Sequence, residues 1–298
     1  MFRLAQISDP HIGPLPKVGL TDLASKRLLG YLNWQRNRER SHSPEVLAAL
    51  VADIVGQHPD HVAVTGDLVN LGLQPEFEQA CEWLAGFGKP HDVTVVPGNH
   101  DAYVPGALAE LSEIWHPFMT GDGAGDKVVF PFIRKRGPVA IIGTSSAVPT
   151  APFMASGEIG GGQAAALASR LAALGRMGLF RVVLIHHPPV ARGAADWSRR
   201  LVDGDLFRKA IADSGAELIL HGHYHHTRVA ELPGRDGPVP VVGAAAASRL
   251  PRDGRAGGSY CLFDIDGKPG AFSCTMTERG VKALKGPVEI IGERRLAG

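Results

Sequence analysis

The sequence predicts an α/β fold in which short buried strands alternate with amphipathic helices. Short apolar, β-branched runs bounded by Gly or Pro recur at 2–7, 61–65, 93–96, 139–143, 181–185 and 216–220, the pattern of strands inside a sheet covered on both faces. Between them, 44–57, 75–87, 104–116, 162–176 and 203–213 carry apolar residues at helical spacing. The chain of 298 residues is 44% apolar, enough for a sizeable core, and its 37 Gly and 22 Pro supply many tight turns.

Each element has a local reason. Run 2–7 starts at once, with neither the charged leader nor the long apolar stretch of a secretory signal. Pro44 after Ser43 is a helix-start signal for 44–57. From about 227 the rhythm changes to turn-separated runs at 239–244, 259–265 and 271–277, which read as hairpins, and the last dozen residues read as loosely attached. Segment 119–131 is Gly-rich and carries no evident chemistry. With no repeat and no linker, the expectation is one domain over 1–278, a basic helical insertion at 14–43, and a C-terminal extension at 279–298. Within the insertion, Leu28, Leu29, Leu32 and Trp34 are interleaved with Lys26, Arg27, Arg36, Arg38 and Arg40. That reads first as a surface helix with an apolar inner face, and second as a lid or a peripheral membrane contact through 26–40.

Composition narrows the function. A net charge of +1 lacks the broad basic footprint of a nucleic-acid binder, so no nucleic-acid partner is expected. Three cysteines without Cys-x-x-Cys spacing suit a reducing compartment. No window approaches the ~18 apolar residues of a membrane span, which makes a cytoplasmic protein the expectation. The oligomeric state stays open.

The chemistry follows the strands. Asp9-Pro10-His11 follows the first run and Gly66-Asp67 the second. Gly98-Asn99-His100-Asp101 follows 93–96, His186-His187-Pro188-Pro189 follows 181–185, and His221-Gly222-His223-Tyr224-His225-His226 follows 216–220. In an open α/β sheet the ligand site lies beyond the carboxyl ends of the strands, so five elements deliver carboxylate, imidazole and carboxamide groups to one edge. Imidazole with carboxylate and no thiolate suits Mn, Fe or Zn ions. Asp9, His11, Asp67, Asn99, His186, His223 and His225 are too many for one ion, and two ions sharing a carboxylate is the economical arrangement. Glycines 66, 98 and 222 would let the backbone turn beside these ligands. Taken singly, Asp9, Asp67 and Asn99 would read as caps or turn residues; in ordered company they read as ligands.

In that order, Asp-x-His, Gly-Asp, Gly-Asn-His-Asp, His-x-Pro and Gly-His-x-His resemble the signature of calcineurin-like metallophosphoesterases over roughly residues 2 to 245. The flanking residues, Thr65 to Asn70 and His186 to Pro189, look most like the bacterial branch with cyclic-nucleotide phosphodiesterases and glycerophosphodiesterases. The resemblance implies a four-layer α-β-β-α sandwich of two mixed sheets flanked by helices. It implies one metal on Asp9, His11 and His225, a second on Asn99, His186 and His223, and Asp67 bridging. His100 would face the leaving group, with Asp101 as its orienting partner. The implied reaction is attack on phosphorus by a hydroxide held between the metals, with His100 assisting departure.

The expected activity is hydrolysis of a small phosphodiester of cyclic-nucleotide or glycerophosphodiester type. The alternatives are a phosphomonoesterase acting on a lipid head group, nucleotide or phosphoprotein, and, from a different class, a non-catalytic protein-binding scaffold. Asn70, His187 and Arg192 are candidates for substrate contact, each with a supporting or surface role as the plainer reading. Arg249, Ser145 and Ser146 are weaker candidates. His42, His58, His61, His91 and His116 read as surface or structural.

Overall fold

The structure is a computed structural model that describes residues 1–19, 21–23, 25–38, 41–190, 193, 196–252 and 256–297. Two six-stranded sheets stack face to face. The first contains β1 (Phe2–Ile7), β2 (His61–Val64), β3 (Val93–Val95), β10 (Ser259–Lys268), β11 (Ala271–Val281) and β12 (Val288–Ala297), in the order β12-β11-β10-β1-β2-β3. The second contains β4 (Phe132–Arg136), β5 (Val139–Gly143), β6 (Phe180–Leu184), β7 (Leu218–His221), β8 (Arg228–Pro233) and β9 (Pro238–Gly243), in the order β4-β5-β6-β7-β9-β8. Both sheets are mixed: β1-β2-β3 and β5-β6-β7-β9 are parallel, and the remaining pairs are antiparallel.

The period-2 side-chain alternation of strands produces the layers. On β1, Phe2 and Leu4 enter the core between the sheets, whereas Ala5 and Ile7 pack outward under helices. On β6 and β7, Val182, Leu184, Leu218 and Leu220 face between the sheets and Val183 and Ile219 face the helices. Helices α2 (Pro44–Gly56), α3 (Gln74–Ala85) and α4 (Ala107–Ile114) cover the first sheet, and α5 (Gly161–Arg176) and α6 (Gly204–Ser214) the second. The expected four-layer α-β-β-α arrangement is therefore present.

Helix α2 illustrates how the sequence specifies an element. The Ser43 hydroxyl accepts the Val46 amide at 3.2 Å, Pro44 sits in the first turn, and Val46, Leu47, Leu50 and Ile54 form one buried stripe. Asp53 of the same helix accepts from Arg279 Nε and Nη2 at 2.7 and 2.9 Å and from the Tyr260 hydroxyl, tying α2 to β10 and β11. Burial alone would raise the Asp53 pKa, but Arg279 and Tyr260 hold it below its ordinary value. A depressed carboxylate pKa stabilises the fold above the unfolded value of about 3.9, and the contribution disappears as pH falls through the folded value. Asp53→Asn is accordingly expected to cost about 1.5–3 kcal/mol in denaturant titrations at neutral pH. The gap to the parent chain should close in acid.

Two expectations are corrected. The described part of the last dozen residues is not loosely attached, and 279–297 are not an extension apart from the domain: β11 runs on to Val281, and β12 pairs with it antiparallel from Val281↔Val288 to Cys274↔Ala297 as the sheet edge. The insertion contains α1 (Arg27–Asn33) followed by a π-helical turn, Trp34–Arg38, but the leucines of α1 do not form an inner face. Leu28, Leu29 and Leu32 are 44%, 40% and 36% exposed. The insertion packs instead through Leu15, Val18 and Tyr31 against Leu71, Leu73 and Tyr103, and through Gly30, where a Cβ would lie 2.4 Å from the Tyr103 hydroxyl, while the cations Lys26 and Arg38 turn inward. Arg40 lies outside the described residues.

Candidate metal centre

The carboxyl ends of β1, β2, β3, β6 and β7 meet at one edge of the stacked sheets, where a bridge between Ser8 and Ala246 joins the ends of the two sheets. The ligand atoms of Asp9, His11, Asp67 and His225 lie within 4.8 Å of one another, as do those of His186, His187 and His223. Asp67 stands between the groups: its Oδ2 is 3.4 Å from His186 Nε2 and 3.9 Å from His11 Nε2. Asn99 Oδ1 is 3.2 Å from His186 Nε2. All seven residues read as ligands from the sequence are thus brought together.

Hydrogen bonds fix which nitrogens face inward. His186 Nδ1–H donates to the Thr65 carbonyl at 2.7 Å and His11 Nδ1–H to the Val69 carbonyl at 3.2 Å, which leaves both Nε2 atoms as acceptors. His11 Nε2 and His225 Nε2 face each other at 3.2 Å, with Asp9 Oδ1 3.3 Å from the latter. His223 Nε2 is buried with no hydrogen-bond partner. Converging lone pairs and an orphaned buried nitrogen are what a pair of cations would satisfy, so the donor set fits two N/O-ligated divalent ions. Without cations, burial opposes charge on both Asp67 and His186, yet each holds the other charged. Asp67 lies well below its ordinary value and His186 is raised to about 9. A bound cation would take the place of that proton.

The backbone is strained to present these groups. Asp9, His11, Asp67, His223 and His225 all have φ between 40° and 75°, five of the eight non-glycine residues with positive φ among those described. Such conformations cost about 1–3 kcal/mol each and persist where the surroundings over-determine them. Of the flanking glycines, Gly66 is needed for conformation, with φ at 93°. Gly98 is needed for space: a Cβ there would lie 2.2 Å from Asp67 Oδ1 and 2.6 Å from the Asp67 amide. Gly98→Ala should cost about 1–3 kcal/mol by overpacking and lower metal content, read by thermal melts and elemental analysis of the same sample.

Asp101 does not touch the His100 ring. Its carboxylate accepts the backbone amides of Asp67, Leu68, Val69 and Gly98 at 2.7–3.1 Å, clamping the β2 and β3 loops together. Beside the Asp67 carboxylate and in full burial its pKa rises to about 7. The orienting partner of His100 is the Asn70 carbonyl, which accepts Nδ1–H at 2.8 Å. His100 Nε2 then accepts from Arg38 Nη2 at 2.7 Å. Burial and the Arg38 charge push the His100 pKa down to about 3, so its resting form is neutral.

The remaining candidates divide. Asn70 lies beside the centre, but its amide donates to the Ile12 carbonyl and its backbone amide to Glu76. His187 is within ligand distance, yet its Nδ1 pairs with Ser146 Oγ at 2.8 Å and its Nε2 with the Ala155 carbonyl at 3.2 Å. With its ring 4.7 Å from that of His223, it forms a wall. Among the described residues, the Arg249 side chain donates to the His225 carbonyl at 3.4 Å. Arg192 lies outside the described residues.

The family profile of the calcineurin-like phosphoesterases matches residues 2–227. The chain belongs to that family. A Synechococcus protein described as a probable cyclic nucleotide phosphodiesterase is 29% identical over 180 residues, covering 60% of this chain and 62% of that protein. The match therefore spans less than two thirds of that relative's length. Among solved structures, a purple acid phosphatase from yellow lupin seeds superposes with a TM-score of 0.64 at 12% identity, over 99% of this chain and 53% of that one. A dimetal phosphatase from Danio rerio gives 0.61 at 13% identity over 99% and 98%. At such identities these likenesses show the fold alone.

Two residues of this calcineurin-like phosphoesterase were not assigned to the centre individually from the sequence, although the 26–40 segment was read second as a lid. Arg38 packs half-buried against His100, with Nη1 3.2 Å from His11 Nδ1 and 3.4 Å from Asn70 Oδ1. His42 sits edge-on to His11 at 5.3 Å between ring centres, its Nδ1 2.6 Å from Ser248 Oγ. Neither follows a strand, and Arg38 is one cation in a basic run, so nothing local marked them. No described helix is long and apolar enough to cross a membrane.

Proposed function

We propose that the chain hydrolyses a small phosphodiester of cyclic-nucleotide or glycerophosphodiester type, with Asp9, His11 and His225 holding one divalent ion, Asn99, His186 and His223 a second, and Asp67 both. The observation that carries this reading is the convergence of all seven ligand residues with His100 and Arg38 beside them. The diester preference draws on the cyanobacterial relative's description. Two divalent ions, when bound, supply positive charge for the phosphoryl oxygens and an acidified water as nucleophile.

The protein's own groups do the rest. Asp101 holds the β2 and β3 loops in register, so that Asp67, Asn99 and His100 keep their mutual geometry. Asn70 fixes the His100 tautomer with the proton on Nδ1 and aims Nε2 into the site. Arg38 places a guanidinium where charge develops on a phosphoryl group. When Arg38 turns to that group, His100 Nε2 is released to face the leaving-group oxygen, and the incoming negative charge favours its protonation.

The test is kcat/KM of the manganese-loaded chain on a diester and a monoester with the same nitrophenyl leaving group, alongside cyclic nucleotides and glycerophosphodiesters. Faster turnover of the diester supports the reading. A preference for the monoester replaces it with a phosphomonoesterase.

A further inference from the structure

Next to the metal centre lies a cavity of about 360 Å³, bounded by the α1 segment on one side and residues 152–155 on the other. Its inner end is formed by Asn99, His100 and Arg38, and Lys26 and Arg199 stand in its wall. The described lining contains these three cations and no carboxylate. Among the described residues, the hydrogen-bonding partners of two of the cations are neutral. Lys26 Nζ donates to Thr150 Oγ1 at 2.9 Å, reaches the Met154 carbonyl at 3.5 Å and rests 4.6 Å from the centre of the Tyr103 ring. Arg38 contacts His100, His11 and Asn70. Both cations are partly buried, neither hydrogen-bonds a carboxylate of the described residues, and they line a space large enough for a small organic molecule. Trp34, Tyr103 and Phe153 add aromatic surface to the same walls.

We infer that this cavity receives the leaving group of the substrate and selects one that carries an oxyanion of its own, a phosphate or carboxylate, in addition to the scissile diester. The inference rests on the phosphodiesterase reading, because His100 at the inner end is the group placed at the leaving oxygen, and it narrows that reading to the glycerophosphodiester type, since a simple cyclic nucleotide carries no second oxyanion. Lys26 and Arg199 meet the second anion, Arg38 meets the phosphoryl group, and the aromatic side chains cover the apolar part between. The insertion thereby becomes part of the specificity pocket.

Two diesters test it: methyl p-nitrophenyl phosphate, and its analogue with a carboxylate on the nitrophenyl ring. The manganese-loaded chain should favour the carboxylated diester at least about tenfold in kcat/KM, mainly through KM, the size expected of a charge-assisted hydrogen bond. In a Lys26→Ala, Arg199→Ala double variant that ratio should fall toward one. A purely structural role for these residues would slow both substrates alike and leave the ratio intact, which overturns the inference. Calorimetry with the two nitrophenols, carboxylated and plain, reads the pocket independently of turnover: tighter binding of the carboxylated form, lost in the double variant, supports it, and equal binding overturns it. If neither diester is hydrolysed, the phosphodiesterase reading falls and the calorimetry still decides the pocket.

Discussion

Asp67→Asn should abolish turnover while leaving the fold in place. The carboxylate lies between the two ligand groups, 3.4 Å from His186 Nε2 and 3.9 Å from His11 Nε2, and supplies the negative charge that both share. Asparagine keeps the shape and tolerates the left-handed conformation at φ 55°, so the loop can form as before. What disappears is the charge. Since removing a group that merely supports a ligand costs 10–100-fold in affinity or activity, loss of this ligand should lower kcat/KM by more than about 100-fold. The check is steady-state kinetics together with circular dichroism. Retained activity with an unchanged melt would remove Asp67 from the centre.

His100→Ala should separate metal binding from catalysis. The backbone amide of residue 100, which donates to Asp67 Oδ1 at 2.8 Å, survives the substitution, so the ligand loop keeps its support. The lost group is the imidazole that Asn70 and Arg38 hold in one tautomer. A proton donor at a leaving oxygen is worth about 10²–10⁴-fold. That loss is expected on diesters with alkyl leaving groups. With a nitrophenyl leaving group, which departs without a proton, the loss should be much smaller. Equal losses on both kinds of diester would assign His100 to structure or phosphoryl binding instead.

Much of this site is legible in the sequence because its proposed ligands follow strands. A buried strand is a short apolar run, and whatever polar residue comes next must emerge at the sheet edge, so Asp9, Asp67, Asn99, His186 and His223 declare themselves by position. The layered fold is legible for the same reason, since alternate residues of β1, β6 and β7 bury on opposite faces. Groups that arrive from loops carry no such mark. Arg38 and His42 reach the centre only because the insertion folds back over it, a tertiary event that a basic run does not announce. Asp101 was expected to orient His100 from the family resemblance, but four backbone amides in two loops claim its carboxylate first. The edge strand β12 was hidden because Glu289, Glu293, Arg294 and Arg295 on its exposed positions interrupt the apolar run, and such charges help keep an exposed edge from pairing further.

The central claim is that seven residues from five strand ends hold two cations, and the metal content of the folded chain tests it most directly. The protein would be stripped with chelator, reconstituted with Mn²⁺, freed of loose ions by gel filtration and measured by elemental analysis. Two ions per chain, with a marked drop in Asp67→Asn, is the predicted result. A folded parent chain that retains no ion would contradict the account.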